Sequence, residues 1–329
     1  MSKSLIKEAL KALPGKPSAN KIELLEKLAQ SITGEDQDHF DPALLAKIVQ
    51  IHEKLAEKRE NGDPQLKIYT VTDSHLGPRK TIIDVVSDDK AFLVDSVVAE
   101  INKNSFLIDL LLHPIVYAKY SKEGKLLKTS LTEKEGFIRQ SHIHIQIKDA
   151  LPESAIKALE AGLYEAVQDV HIANKDWREM LEKLKDARQD LENAKTRRPL
   201  KEVQQYCAFL DYLHNNNFTL LGYREYKFIE KNGEVTSRTV PGSGLGLLHK
   251  EVRPAYINDH DEGLPRNLQE KRRNLPPLSI SKTNRLSTVH RRVPMDAIAI
   301  KTYDEDGAIT GEKLFIGLFT SVTYSRSVG

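Results

Sequence analysis

His142 and His144 form a pair of histidines on one predicted strand, where imidazoles could bind a metal ion. They alternate with Ile143, Ile145 and Ile147, so both imidazoles lie on one face of that strand. Such a pair needs a third ligand before it holds a metal. No carboxylate or cysteine lies between them or directly beside them. We therefore predict a polar row that faces solvent or another subunit, and no metal site.

The glycine-rich segment 242–246 could cradle a phosphate through its backbone N–H groups. It does not have the G-x-G-x-x-G pattern that opens a helix, and no Gly-Lys-Ser/Thr sequence follows it. A tight loop in which glycines adopt positive φ angles is therefore the favoured interpretation, and phosphate or nucleotide binding is the alternative.

A basic stretch, residues 266–292, carries eight lysines and arginines and the single acid Glu270. Such a cluster can bind an anionic ligand or an acidic partner surface, and Arg285, His290 and Arg291 are its candidate contact residues. Single-stranded RNA binding requires interleaved aromatic residues, and this stretch has none. We interpret it as a contact with another domain or subunit, with a solvated loop as the alternative.

Composition excludes several other classes of function. The 329 residues have a net charge of +2, which argues against a surface built to bind nucleic acid or membrane. No stretch approaches the ~20 apolar residues that span a bilayer, and the N-terminus lacks the apolar run of a signal peptide. The single cysteine, Cys207, rules out an internal disulfide and a cysteine-only zinc site, so we expect a cytoplasmic protein. Cys207 lies on the apolar stripe of a predicted helix and is expected to be a core residue, not a nucleophile.

The elements that must position these residues form an α+β chain with four predicted segments. Residues 1–62 are helical, and Asp41-Pro42 begins the second helix. Residues 66–172 follow the order strand, helix, strands, helix, which is close to the ferredoxin-like pattern. A final strand is missing after the second helix, and strand 66–71 is predicted to fill that position. Residues 174–198 form a charged helical connector or packing arm, and residues 200–329 form a helix followed by a mostly antiparallel sheet.

Five motifs, in this order, resemble the N-terminal region of the large bacterial NAD-specific glutamate dehydrogenases. They are Phe92–Val98, Phe218–Tyr226, Gly242–Leu248, Ser281–His290 and Gly317–Ser321. The resemblance implies an ACT-like domain over residues 66–172 and a PAS-like sheet in residues 200–329. It also implies that this region is regulatory and that the catalytic domain lies far downstream. The sequence ends directly after a predicted strand, so we expect the last domain to be incomplete. No catalytic lysine or dinucleotide-binding turn is found, so no catalytic or cofactor-binding residue is assigned, and NAD belongs to the full-length family.

The resemblance also suggests where a regulatory ligand would bind. ACT domains bind small effectors, often amino acids, near the joint between the first strand and helix, where Asp88, Asp89 and Asp95 are the candidate residues. Helix capping by Asp88 and Asp89 is the alternative, because carboxylates stabilise helix N-termini. The expected partners are the chain's own catalytic domain, other subunits of a homo-oligomer and an amino-acid effector. A free-standing effector-binding module and a decayed fragment are the other hypotheses.

Overall fold

A computed structural model of the chain describes residues 2–32, 40–71, 79–231, 234–249 and 275–320. The chain divides into two compact units, Met1–Gln168 and Asp169–Gly329. Each unit combines helices with one antiparallel sheet, which confirms the predicted α+β class. None of the described helices is long and apolar enough to cross a bilayer.

Helices precede the sheet of the first unit: α1 (Ser2–Ala12), α2 (Ala19–Ser31) and α3 (Pro42–Ala56). Asp41 caps α3 by accepting a hydrogen bond from the Ala43 amide at 2.8 Å, and proline occupies the first turn, as predicted. The apolar faces of the three helices pack into a common core that includes Leu25, Leu28 and Leu45. This packing fixes which face of α3 is turned inward.

The sheet of the first unit has the strand order β1-β2-β6-β4-β5, and β3 also pairs with β6. Strand β1 pairs along its whole length with β2, so it fills the edge position that the sequence analysis assigned to it. Helix α4 (Leu93–Lys103) follows β2, and helix α5 (Glu153–Lys175) follows β6. The strands are β1 (Gln65–Val71), β2 (Lys80–Asp88), β3 (Ile108–Leu112), β4 (Ile115–Tyr120), β5 (Leu126–Ser130) and β6 (Ile138–Ile147).

The second unit contains α6 (Trp177–Asn193), α7 (Leu200–Tyr212) and a π-helical turn at Leu213–Asn217. Its sheet has the order β10-β11-β12-β7-β8, and the short β9 also pairs with β7. The strands are β7 (Phe218–Lys231), β8 (Glu234–Thr239), β9 (Leu245–Gly246), β10 (Leu278–Leu286), β11 (Pro294–Tyr303) and β12 (Ile309–Phe319). The predicted antiparallel sheet is confirmed, and its PAS-like assignment stays a prediction.

Of the two interpretations of residues 174–198, a connector or a packing arm, helix α6 favours the packing arm. It buries Met180, Leu184 and Leu191 in one hydrophobic core with Tyr223 and Phe315 of the sheet. A narrow apolar stripe at helical spacing is sufficient to dock this highly charged helix, because its charged residues face away from the core. The segment is therefore part of the second unit.

Candidate functional site

The two histidines of β6 are buried in the structure. His142 is 1% exposed and His144 is fully buried, so the prediction of a row facing solvent or another subunit is wrong. The reason is that α3 covers this face of the sheet and brings His52, also fully buried, against them. The Nδ1 atoms of His52 and His142 lie 3.2 Å apart.

A carboxylate reaches the histidines from the neighbouring strand. Asp84 of β2 lies directly opposite His144 in the antiparallel register. Its Oδ1 atom is 2.6 Å from Nδ1 of His144 and 2.9 Å from Nε2 of His52. These three ligand atoms all lie within 4.8 Å of one another. The structure thus assembles a 2-His-1-carboxylate set, a group of donors that suits transition metals.

Electrostatics fix the charge of this buried cluster. Burial alone would raise the pKa of Asp84, but the neighbouring His144 and His52 outweigh it and hold that pKa well below its usual range. Burial, followed by the charge of His52, lowers the pKa of His142 well below its ordinary value. Asp84 is therefore a carboxylate, and His142 is neutral. The Oδ2 atom of Asp84 is buried without a hydrogen-bond partner.

A chain of hydrogen bonds leads away from the cluster toward the end of α3. Nε2 of His142 lies 3.0 Å from Oε1 of Gln140, and the Gln140 amide donates to the Tyr120 hydroxyl at 2.6 Å. Tyr120 in turn donates to the backbone carbonyl of Ala56 at 3.0 Å. On the other side, Nε2 of His144 lies 3.2 Å from the Gln146 amide nitrogen. Both β6 histidines therefore have a polar partner on the side away from Asp84.

Two of these residues were missed in the sequence, although each carries a signal. Asp84 is an acid inside the otherwise apolar strand 81–86, and His52 lies on the apolar stripe of α3 with Leu45 and Ile48. A polar residue in an apolar pattern needs a partner when it is buried. Each of these two polar residues interrupts an apolar pattern, and comparing such positions between elements would have suggested a contact between Asp84 and His52.

The predicted effector residues lie at the end of β2 and in the first turn of α4. Asp88 Oδ1 lies 2.9 Å from Nη2 of the buried Arg59 and forms an ion pair with it. Asp89 accepts a hydrogen bond from Ser141 at 3.0 Å and pairs with Nε of Arg139 at 3.1 Å. Asp95 is exposed on α4.

These pairings decide the alternative interpretation of the two adjacent aspartates. Helix α4 has Phe92 as its N-cap residue, with a φ angle of +68° and no side-chain cap. The N-cap position of α4 is therefore occupied by Phe92 and not by Asp88 or Asp89. The structure brings both carboxylates to the same end of β2 and gives each an arginine partner.

The candidates of the basic stretch lie around the connection between β10 and β11. Arg285 is exposed near the end of β10. His290 adopts a φ angle of +67° in the turn that follows. The guanidinium of Arg291 donates to the carbonyl of Phe319 at 2.7 Å, so one of its contacts holds the turn to β12. Residues 266–274 of the stretch lie outside the described part of the chain.

The glycine-rich segment is a tight loop, as predicted. The Gly246 amide donates to the carboxylate of Asp176 at 2.9 Å, and the Leu247 amide donates to the Leu221 carbonyl at 2.8 Å. Gly242 and Gly246 have φ angles of +74° and +56°. Because Gly246 and Leu247 direct their N–H groups to partners within the unit, this loop is not arranged as a phosphate cradle.

Arg224, on β7, is the second unusual buried group. Its side chain is 1% exposed, and Nη2 donates to the Leu248 carbonyl at 2.6 Å. Nε and Nη1 are buried and have no acceptor among the described residues. A buried guanidinium normally pairs with a carboxylate or another anion, because leaving donors unpaired costs free energy. The sequence gives little signal for this burial, because Arg224 stands beside Glu225 in a strand that also contains Lys227.

Comparison with known proteins identifies the class of the first unit. Residues 24–163 match the family described as "Glutamate dehydrogenase, ACT1 domain". The match runs from α2 into α5 and includes the whole sheet with the buried His–Asp cluster. The first unit therefore contains an ACT-type domain of the glutamate dehydrogenase class, as the sequence motifs indicate.

Two curated relatives extend the similarity beyond the first unit. The NAD-specific glutamate dehydrogenase of Pseudomonas aeruginosa is 26% identical over 279 residues, which cover 84% of this chain and 17% of the relative. The enzyme of the same name from Halomonas elongata is 28% identical over 263 residues, covering 75% of this chain and 15% of the relative. Over most of its length, the chain is therefore similar to part of the NAD-specific glutamate dehydrogenases. It spans about a sixth of the length of these relatives.

Among solved structures, an RNA-binding light-oxygen-voltage receptor is aligned over 91% of this chain and 86% of its own. The alignment has a TM-score of 0.15 and 8% sequence identity. A similarity at this level bears on neither the fold nor the function of the chain.

Proposed function

We propose that this chain is the regulatory and assembly part of an NAD-specific glutamate dehydrogenase. The full-length enzyme would convert L-glutamate, NAD and water to 2-oxoglutarate, ammonia and NADH. The observation that carries the proposal is the ACT1 match over residues 24–163 in a chain that aligns with 17% and 15% of its two relatives. Catalysis and NAD binding are then tasks of other parts of the enzyme.

The chemistry of the described residues supports a role other than catalysis. His52, Asp84 and His144 are fully buried, so a substrate cannot reach them without opening of the fold. Burial raises the pKa of the Cys207 thiol, which makes it a poor nucleophile. We therefore expect the purified chain to produce no NADH from NAD and glutamate. Glutamate-dependent NADH formation by residues 1–329 would refute the proposal.

An amino-acid effector would fit the chemistry around Asp89. An amino acid carries an ammonium and a carboxylate, so its site needs an acidic and a basic group close together. Asp89 and Arg139 supply this combination, and the Arg139 side chain is 59% exposed. In the proposed site, the effector's ammonium approaches Asp89 and its carboxylate approaches Arg139, replacing part of their mutual ion pair.

A thermal-shift screen tests the effector site. A panel of amino acids is added to the purified chain, and a ligand that binds the folded state raises the Tm. Asp89→Asn should abolish the shift, whereas Glu135→Gln, which alters an exposed acid of the same unit, should retain it. If no amino acid shifts the Tm, or if the shift survives in Asp89→Asn, the effector part of the proposal is wrong.

The size of the native protein distinguishes the proposal from a free-standing effector-binding module. An antibody against this chain should detect a cytoplasmic protein several times larger than 37.2 kDa. It should also precipitate glutamate dehydrogenase activity from a homo-oligomer. A native band near 37.2 kDa without that activity would favour the free-standing module.

A further inference from the structure

In the hydrogen-bond chain from Ala56 to His142, the backbone carbonyl of Ala56 determines which group donates at each step. The carbonyl of Ala56 can only accept, so the Tyr120 hydroxyl donates to it. The Tyr120 oxygen therefore accepts from Nε2 of Gln140, which turns Oε1 of Gln140 toward His142. Because Oε1 can only accept, His142 must carry its proton on Nε2.

This direction determines the protonation of His52. His142 is 1% exposed and its two ring nitrogens face His52 and Gln140, not a carboxylate, so it is neutral and its Nδ1 presents a lone pair. His52 must then donate from its own Nδ1, which lies 3.2 Å away. A neutral His52 with that proton directs the lone pair of Nε2 at the carboxylate oxygen of Asp84, 2.9 Å away. Two acceptors at this distance repel each other, so a cation, either a proton or a metal ion, must lie between them.

We propose that His52, Asp84 and His144 bind a divalent transition metal ion such as zinc, which ties α3 to strands β2 and β6. Nε2 of His52 and Nδ1 of His144 converge on the same carboxylate, and the unpartnered Oδ2 of Asp84 supplies a further ligand atom. A proton on His52 would satisfy only the contact to Oδ1; the Tyr69 hydroxyl also faces the Asp84 carboxylate, but it forms no hydrogen bond with Oδ2. This site is independent of the proposed enzymatic function.

The distances permit the metal with small side-chain movements. Tetrahedral zinc with ligands at about 2.0–2.2 Å separates neighbouring ligand atoms by about 3.3–3.6 Å. The contacts to Asp84 Oδ1 are 2.6 Å from His144 and 2.9 Å from His52, so rotations that open them by roughly 0.4–1.0 Å suffice. The second nitrogen of His52 already faces a ring nitrogen of His142 that can accept its proton. The second nitrogen of His144 faces the Gln146 amide, which must turn its oxygen toward the ring when Nδ1 binds the metal, because Nε2 then carries the proton. Such neighbours orient the ligands of metal sites in proteins.

Burial determines how the metal must be supplied in a test. The three ligand residues are fully buried, so the ion enters while α3 docks on the sheet or during its transient opening. The untagged chain is therefore unfolded in denaturant with a chelator, desalted and refolded with Zn²⁺, with Co²⁺ or without metal. Bound metal is measured after gel filtration, and folding is verified by circular dichroism.

The expected result is one Zn²⁺ per chain, with a higher Tm than the metal-free protein. Co²⁺ bound in its place should give the visible absorption of a nitrogen- and oxygen-ligated ion. A folded chain that retains less than about 0.1 Zn²⁺ overturns the proposal. In that event, NMR should show protons on both nitrogens of His52, the signature of a histidinium paired with Asp84.

Matched variants locate the bound ion. His144→Gln removes a ligand and should lower the Zn²⁺ affinity by more than about 100-fold, whereas His142→Gln removes only the neighbour of a ligand and should lower it by about 10–100-fold. His214→Gln, in the second unit, should leave the affinity unchanged. Equal affinity in the His144 variant and the wild type would overturn the assignment. Should that variant fail to fold, the metal content and Co²⁺ spectrum of the wild type still decide the question.

Discussion

Replacing Arg224 by methionine should stabilise the second unit. The guanidinium is 1% exposed, and two of its nitrogens, Nε and Nη1, have no acceptor among the described residues. Methionine has a similar length and is apolar, so it can occupy the same space without unpaired donors. The substitution therefore removes a buried charge that lacks a partner.

The magnitude follows from the contacts of Arg224. Each buried donor without an acceptor costs about 1–3 kcal/mol. The substitution relieves two of these, but it also removes the 2.6 Å hydrogen bond to the Leu248 carbonyl, which loses its partner at a comparable cost. The net gain in the free energy of unfolding is then about 1–2 kcal/mol. For a unit of this size, the Tm should rise by roughly 2–8 °C.

The single tryptophan makes the measurement specific to the second unit. Trp177 begins α6, so its fluorescence during urea unfolding reports on that unit. Lys227→Met, an exposed position on the same strand, serves as the control and should change the free energy by less than about 0.5 kcal/mol. A loss of more than about 1 kcal/mol in Arg224→Met would refute the reasoning and show that the folded protein supplies an anion to this guanidinium.

Three further predictions test the packing around the proposed sites. Gly246→Ala should destabilise the second unit by about 2–4 kcal/mol, since its Cβ would lie 2.4 Å from the Leu221 carbonyl at a positive φ angle; Gly242→Ala, at a positive φ angle in open space, should cost only about 1 kcal/mol in the same urea titration. Cys207 should react with a thiol reagent much more slowly in the folded chain than in urea, because burial raises the pKa of its thiol; equal rates would show that it is accessible. Burial lowers the pKa of the His113 imidazole in the folded chain. The unfolded chain therefore binds a proton at His113 more readily, and protonation favours unfolding as the pH falls through about 6.5. His113→Gln should therefore have a smaller drop in the urea midpoint between pH 7.5 and pH 5.5 than the wild type, and an equal drop would contradict this.

Local rules predict much of the first unit correctly. The Asp41-Pro42 start of α3 depends on a cap and a proline, both of which act within one helical turn. A ferredoxin-like order expects a last strand after the second helix, and the sequence has none there. Strand β1 occupies the open edge of the sheet that this strand would fill. The break between β3 and β4 was not predicted, and it occurs at Pro114, which lacks the N–H group that continuous pairing requires.

The buried cluster escapes prediction for a different physical reason. Alternation along β6 shows that His142 and His144 share a face, but it does not show what covers that face. The cover is α3, and its docking depends on contacts between helices far away in the sequence. His52 is 32 residues from Asp84, and Asp84 is 60 residues from His144, so no local spacing contains the site.

The polar layer between α3 and the sheet also constrains what this face is for. Apolar residues at the positions of His52, Asp84 and His144 would pack against α3 without the cost of burying a carboxylate. The hydrogen bonds from Ala56 through Tyr120 and Gln140 leave a lone pair of neutral His52 facing that carboxylate. Docking of α3 therefore requires a cation in the cluster, either a proton on His52 or the metal ion proposed above. If the metal is bound, the position of this helix depends on the ion, and if it is not, the position depends on the protonation of one buried histidine.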